Sequence, residues 1–190
     1  MPYANRWILI LLGVLCWNVG SAMASEPVLQ ISHFGVKVEH VGFLDDSAEQ
    51  QDVDSGLFLG VEAYEYLDHG VYYGFEAGWA DIEGNIVENG SEYDTELTYI
   101  PVEMNVKWVG LILPYTSLGV GLGPSMGYAR HEVKGSGIDE SKEDWFWGGQ
   151  ALAELNIEAG AIYFGLNGKY QAVEKDLQNW RAGAHIGCRF

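Results

Sequence analysis

The chain has 190 residues, 25 of them glycine, with 48% hydrophobic and 13% aromatic residues and a formal net charge of −17. Ten Lys+Arg against 27 Asp+Glu argue against nucleic acid as a partner. The aromatic content argues against a disordered acidic tail, and the length fits one domain.

The first element is a leader. Arg6 precedes an apolar run, Trp7 to Trp17, and Ser21-Ala22-Met23-Ala24 supplies a small-x-small ending before Ser25. A charged start, a short apolar core and such an ending predict a signal peptide over 1–24, cleaved after Ala24. A run of that length is too short to span ~30 Å of hydrocarbon. Its removal takes away Arg6 and Cys16, which leaves Cys188 as the one cysteine and no intramolecular disulfide.

From residue 25 on, the sequence alternates with period two, the mark of strands with two different faces. Strands are expected near 31–42, 56–66, 71–82, 95–108, 114–130, 145–158, 161–173 and 179–190. One face is apolar: Leu57, Leu59 and Val61 in the second strand, Ile100, Val102, Met104 and Val106 in the fourth. The other mixes glycine with polar groups, as in Gly119, Gly121, Gly123 and Ser125 of the fifth. Phe146 and Leu152 break the pattern by falling on the polar face, and Pro101 and Pro124 predict bulges because each lacks a ladder donor. Long connections near 43–55, 83–94 and 131–144, with a shorter polar one at 174–178, alternate with tight ones near 67–70, 109–113 and 158–160. That asymmetry suits a membrane barrel with short periplasmic turns and longer external loops.

The alternation also fits a soluble lipocalin-like barrel with the apolar face inside. Three features favour the membrane. Glycine gathers on the charged face, as a crowded lumen requires. Aromatics such as Tyr73, Trp79, Trp108, Tyr128, Trp145, Trp147, Trp180 and Phe190 lie near strand ends, like two girdles. Charges of outward parity, Glu65, Asp81, Glu96, Arg130 and Glu174, occur only at strand ends. The expected fold is therefore all-β, an eight-stranded antiparallel up-and-down transmembrane β-barrel over 25–190.

The last strand ends on Phe190, with Cys188, Ile186, Ala184 and Ala182 at every second position before it. This resembles the C-terminal assembly signal of bacterial outer-membrane proteins, and implies Ile186, Cys188 and Phe190 as its residues and the barrel assembly machinery as a partner. The stretch Leu97 to Trp108, followed by Pro114-Tyr115 and Gly119-Val120-Gly121-Leu122-Gly123, is similar to the transmembrane domain of OmpA-type proteins. The resemblance covers about 25–190. It implies a Gram-negative outer-membrane location with lipid and lipopolysaccharide around the barrel; unlike full-length OmpA-type proteins, no peptidoglycan-binding domain is expected after Phe190.

By parity the inward charges are Lys37, Glu39, Glu62, Glu76, Glu103, Lys107, Glu154, Lys169, Arg181 and Arg189, five of each sign. Eight strands leave room for side chains but no open channel, so a paired polar plug is preferred over a narrow pore. The resemblance also brings in lipid A-modifying enzymes that use a His/Ser pair two residues apart. None of His33, His40, His69, His131 and His185 has a serine at that spacing, so no catalytic residue and no cofactor are expected. His185 shares its face with Ser117 and Ser125, a weak pairing. The external segments gather Asp45, Asp46, Glu49, Asp52 and Asp54, then Asp81, Glu83, Glu88, Glu92, Asp94 and Glu96. They are expected to be solvated acidic loops, with divalent cations bridging them to lipopolysaccharide phosphates. The EF-hand spacing is not met, so no metal site is assigned. The function expected is structural or interactive, carried by the external end.

Overall fold

A computed structural model describes residues 32–44, 53–88, 91–135, 138–174 and 177–190. The leader expected over 1–24 lies outside them, as do Asp45, Asp46, Glu49 and Asp52. Eight strands form: β1 His33–Phe43, β2 Ser55–Asp68, β3 Val71–Glu88, β4 Ser91–Leu113, β5 Thr116–Gly135, β6 Ile138–Ala159, β7 Ile162–Val173 and β8 Asn179–Arg189. Each pairs antiparallel with its neighbours in sequence, and β8 closes on β1, so the sheet is a closed up-and-down barrel.

The turns at one end are two residues long. His69 and Gly70 both have positive φ (50° and 79°), the requirement of a type I′ hairpin. Pro114 precedes Tyr115 at φ 64°, and Gly160 at φ 67° opens the β6–β7 turn. The tight turn expected at 109–113 thus sits later, because the alternation runs on to Leu113 before proline ends it.

Two other expectations are corrected. Residues 83–88, 91–94, 131–135 and 138–144 are strand and not loop. The β3–β4 ladder continues to Glu88↔Ser91 and the β5–β6 ladder to Gly135↔Ile138. Period two persists there, in Ile82 and Ile86 against Leu97 and Tyr93, but with charges on the other face. The prolines do not cause bulges. The register shifts lie at Tyr66/Asp68 and Leu111/Leu113. Around Pro101 the β3–β4 ladder breaks at Gly78 and Trp79, and around Pro124 the β4–β5 ladder breaks at Met104 and Asn105. The register is the same on both sides of each break, so the missing donor leaves a gap and not an extra residue. At the second gap Gly123 is pressed against β4, where an added Cβ would sit 1.7 Å from the Met104 carbonyl oxygen.

The apolar face points outward. Leu122 is 67% exposed, Leu166 63% and Met104 50%, while Glu62, Glu103 and Arg181 inside are 2% or less. A soluble barrel needs the reverse, so the lipocalin-like alternative fails on this geometry. The belt is flanked by exposed Trp108, Tyr115 and Phe190 at the end with the short turns, and by Trp79, Trp145, Trp147, Tyr170 and Trp180 at the other.

Candidate functional site: the lumen and the outer wall

Parity sends every second side chain of each strand inward, where a charge persists only with a partner. Lys37 on β1 lies 3.0 Å from Glu62 and 2.9 Å from Glu76. Lys169 on β7 reaches Glu76 at 2.7 Å and also bonds Glu103. Arg181 on β8 bonds Glu103, faces Glu39 at 3.7 Å and stacks over the Phe58 ring at 4.5 Å. Lys107 on β4 lies 3.0 Å from Glu154 and 3.7 Å from the centre of the Tyr64 ring. Neutral donors complete the carboxylates: Tyr64 and Asn105 donate to Glu76, Tyr163 to Glu62, Asn167 to Glu39 and Asn156 to Glu154.

Nine of the ten inward charges read from the sequence are buried in this layer. Arg189 is not. It lies at the short-turn mouth and forms a two-pronged pair with Glu158, 2.5 and 2.8 Å. The buried set is therefore four cations against five carboxylates, and not five of each. Ile186 and Phe190 point outward into the belt, and Cys188 between them is half-buried.

A second layer lies above the ionic one, toward the long-strand end. It consists of Val41, Phe43, Val53, Phe58, Ala80, Ile82, Leu97, Tyr99, Ala129, Phe146, Val173 and Leu177. Tyr99 stacks on Phe146 at 5.3 Å and meets Phe43 edge-on at 5.2 Å. Its hydroxyl donates to Gln171 and accepts from Asn179, so the polar tip is satisfied inside an apolar setting. Of this layer the sequence had signalled only Phe146, as an exception. The signal that would have found the rest is positional: inward residues turn apolar at the outer end of one strand after another.

Beyond that layer the barrel becomes a wall. Residues 81–88 of β3 pair only with β4, and residues 138–146 of β6 pair only with β5. Among the described residues, four strands therefore rise above the rim, and the outer sides of β3 and β6 there meet no other strand. The β3 arm alone rises roughly 25 Å along the strand. Glu83, Glu96 and Glu132 face one another across three strands. The outward surface there is concave, a cavity of about 330 Å³ lined by Glu83, Asn85, Asp94, Glu96, Glu132 and Lys134 among others. Burial, with Asp81 and Glu132 nearby, raises the Glu96 pKa above its ordinary value. The hydrogen bond from Lys134, with Arg130 beside it, lowers that of Glu132.

No family model matches the chain, and no curated protein matches it in sequence. Solved structures do match in fold. OprG, an outer-membrane protein of Pseudomonas aeruginosa, superposes with a TM-score of 0.64 at 14% identity, over 85% of this chain and 97% of that one. The fold is that of the small outer-membrane β-barrels. Ail, the attachment invasion locus protein of Yersinia pestis, superposes at 0.53 with 18% identity, over 85% of this chain and all of Ail. Neisserial surface protein A does so at 0.53 with 12% identity, over 83% and 96%. The outward belt of this barrel and the proteins that share its fold agree on the bacterial outer membrane as its place.

His33 and His185 each bond a neighbouring side chain through one ring nitrogen. Ser32 Oγ is 3.0 Å from His33 Nδ1, but it also donates to the Tyr64 carbonyl and accepts from the Tyr66 N–H, which ties β1 to β2. In the lumen His185 Nε2 bonds Asn156 Oδ1, and Ser125 accepts from Gln171.

Proposed function

We propose that this is an integral outer-membrane protein whose filled lumen does not conduct and whose work is interaction, done by the wall it holds outside the cell. The observation that carries this reading is the wall itself: four paired strands rising past the girdle, with two edges that meet no other described strand and an acidic concave face. Open edges with polar backbone invite an added strand, and the charged side chains restrict which strands can add. The favoured partners are cationic: basic extended segments, and divalent cations that bridge the wall to lipopolysaccharide phosphates. Ail has been crystallised with the heparin analogue sucrose octasulfate, a polyanion. The outer face here is itself acidic and repels polyanions, so heparin-like ligands are not its favoured partners.

Two stacked layers support the silent lumen, because an ion would have to break the Lys169 and Arg181 pairs and then cross the Tyr99–Phe146 stack. Residues 1–24 act as the export signal, and Ile186, Cys188 and Phe190 are read by the assembly machinery. Ser32, tied to the β2 backbone, and Ser125, which accepts from Gln171, support the non-enzymatic reading.

Three measurements test this. Planar bilayers with purified protein are expected to show no steady conductance, and a stable channel overturns the filled lumen. Nanodisc-held protein is expected to bind a polylysine strand and to lose it when residues 84–93 are replaced by a short turn. Equal binding by both forms overturns the role of the wall. Lipid A from cells with and without the protein is expected to have the same masses.

A further inference from the structure

We propose that the periplasmic half of the lumen holds one first-row divalent metal ion, with Zn²⁺ as the working case, between Glu62 of β2, Glu154 of β6 and His185 of β8. One donor atom from each lies within 4.8 Å of the others, and all three side chains are buried. Three strands far apart in sequence thus converge two carboxylates and an imidazole.

The second, independent observation is an unpartnered atom. His185 is 4% exposed, and its Nδ1 has no hydrogen-bond partner. Its Nε2 bonds the amide oxygen of Asn156, which can only accept, so Nε2 carries the proton. Nδ1 then keeps a lone pair in a dry lumen with nothing to receive. The orientation of Asn156 is fixed because its Nδ2 donates to Glu154 at 3.1 Å. One amide therefore orients two of the three ligands, as outer partners of metal ligands do.

The electrostatics point the same way. The buried layer has one carboxylate more than it has cations. Lys37, which faces Glu62, also bonds Glu76 at 2.9 Å, and Lys107, which bonds Glu154, also lies over the Tyr64 ring. Each ammonium keeps a second partner if its carboxylate turns to a metal. A cavity of about 10 Å³, lined by Lys107, Glu154, Asn156, Tyr163 and Arg189 among others, adjoins the site at the short-turn mouth. That is room for about one water, the fourth ligand that zinc takes when the protein supplies three. The imidazole favours zinc or a neighbouring transition metal over Ca²⁺ or Mg²⁺, which take oxygen.

The test uses the full barrel refolded in detergent micelles and dialysed against Zn²⁺ alone, with bound metal counted by mass spectrometry. One equivalent is expected. His185→Ala and Glu154→Gln, each checked for the folded form by its heat-dependent gel mobility, are expected to weaken it roughly ten-fold or more. The outer double variant Asp81→Asn/Glu96→Gln is expected to leave it unchanged. If the lumen variants do not fold, ¹⁵N spectra of the wild-type imidazole decide, since Zn²⁺ must shift His185 Nδ1. Absence of stoichiometric binding, undiminished binding by His185→Ala, or an unshifted Nδ1 each overturns the site. None of these results bears on the wall, whose binding to polylysine is read separately.

Discussion

Arg181 joins three elements at once: Glu103 of β4, Glu39 of β1 and the Phe58 ring of β2. Burying an ion pair gives little net stability, but removing one partner strands the other in a dry interior. Arg181→Met is expected to cost about 3–5 kcal/mol in urea unfolding from lipid vesicles, followed by tryptophan fluorescence. Adding Glu103→Gln should return part of that loss, because Lys169 keeps Glu76 as its partner. A double variant no more stable than the single one contradicts the pairing. On the wall, charge acts through like signs. Burial and the carboxylates of Asp81 and Glu132 raise the Glu96 pKa. An acid whose folded-state pKa is raised opposes the fold when ionised, so that penalty is relieved as pH falls through the folded value. Glu132, held down by Lys134, has the opposite sense: its contribution stands above 4.5 and is lost as pH falls through its lowered value. Asp81→Asn is expected to bring the Glu96 titration down toward 4.5 in a carboxyl NMR titration, and an unmoved midpoint contradicts the coupling.

At the scale of strands, parity carried most of what could be read. Leu57, Leu59 and Val61 face out and Glu62 faces in because side chains alternate, and one charged residue fixes the sense of a whole strand. Parity gives direction but not depth. It placed Arg189 inward with Arg181, although Arg189 is eight residues nearer the mouth and bonds Glu158 there. It also missed the apolar layer, because Phe58, Tyr99 and Leu97 share a face with charges and only their height along the strand sets them apart. The wall reads as loop in the sequence because its many charges mask an alternation that persists in Ile82, Ile86, Tyr93 and Leu97 and lets the ribbon pair. Backbone packing was legible only as glycine content. Gly123→Ala is expected to cost about 3 kcal/mol or more, since its Cβ meets the Met104 carbonyl and not a movable side chain. Gly168→Ala, with nothing within 4 Å, is the neutral control in the same urea assay. In the β2–β3 turn, His69 pays the αL penalty at φ 50°, and His69→Asn is expected to stabilise the barrel by about 0.5–1 kcal/mol.

The whole molecule is polar along its axis. One end has two-residue turns and the Arg189–Glu158 pair, and the other carries an acidic wall above an apolar layer. The start of β1, the end of β8 and the short turns share a side because eight is an even number of strands, and in such barrels that side is periplasmic. The net charge of −17 is therefore unevenly placed: the lumen nearly cancels, the belt is uncharged, and the described excess lies on the wall. Orientation follows from this and is open to direct measurement. In a Cys188→Ser background, Asn85→Cys on the β3 arm is expected to react with a membrane-impermeant maleimide on intact cells. His69→Cys in the β2–β3 turn should react only after the outer membrane is permeabilised. Both positions lie in the described strands and turns, and neither faces the lumen network, so labelling reports sidedness and not unfolding. Labelling of residue 69 on intact cells, with protection of residue 85, would invert the barrel and turn the wall toward the periplasm, away from any external partner.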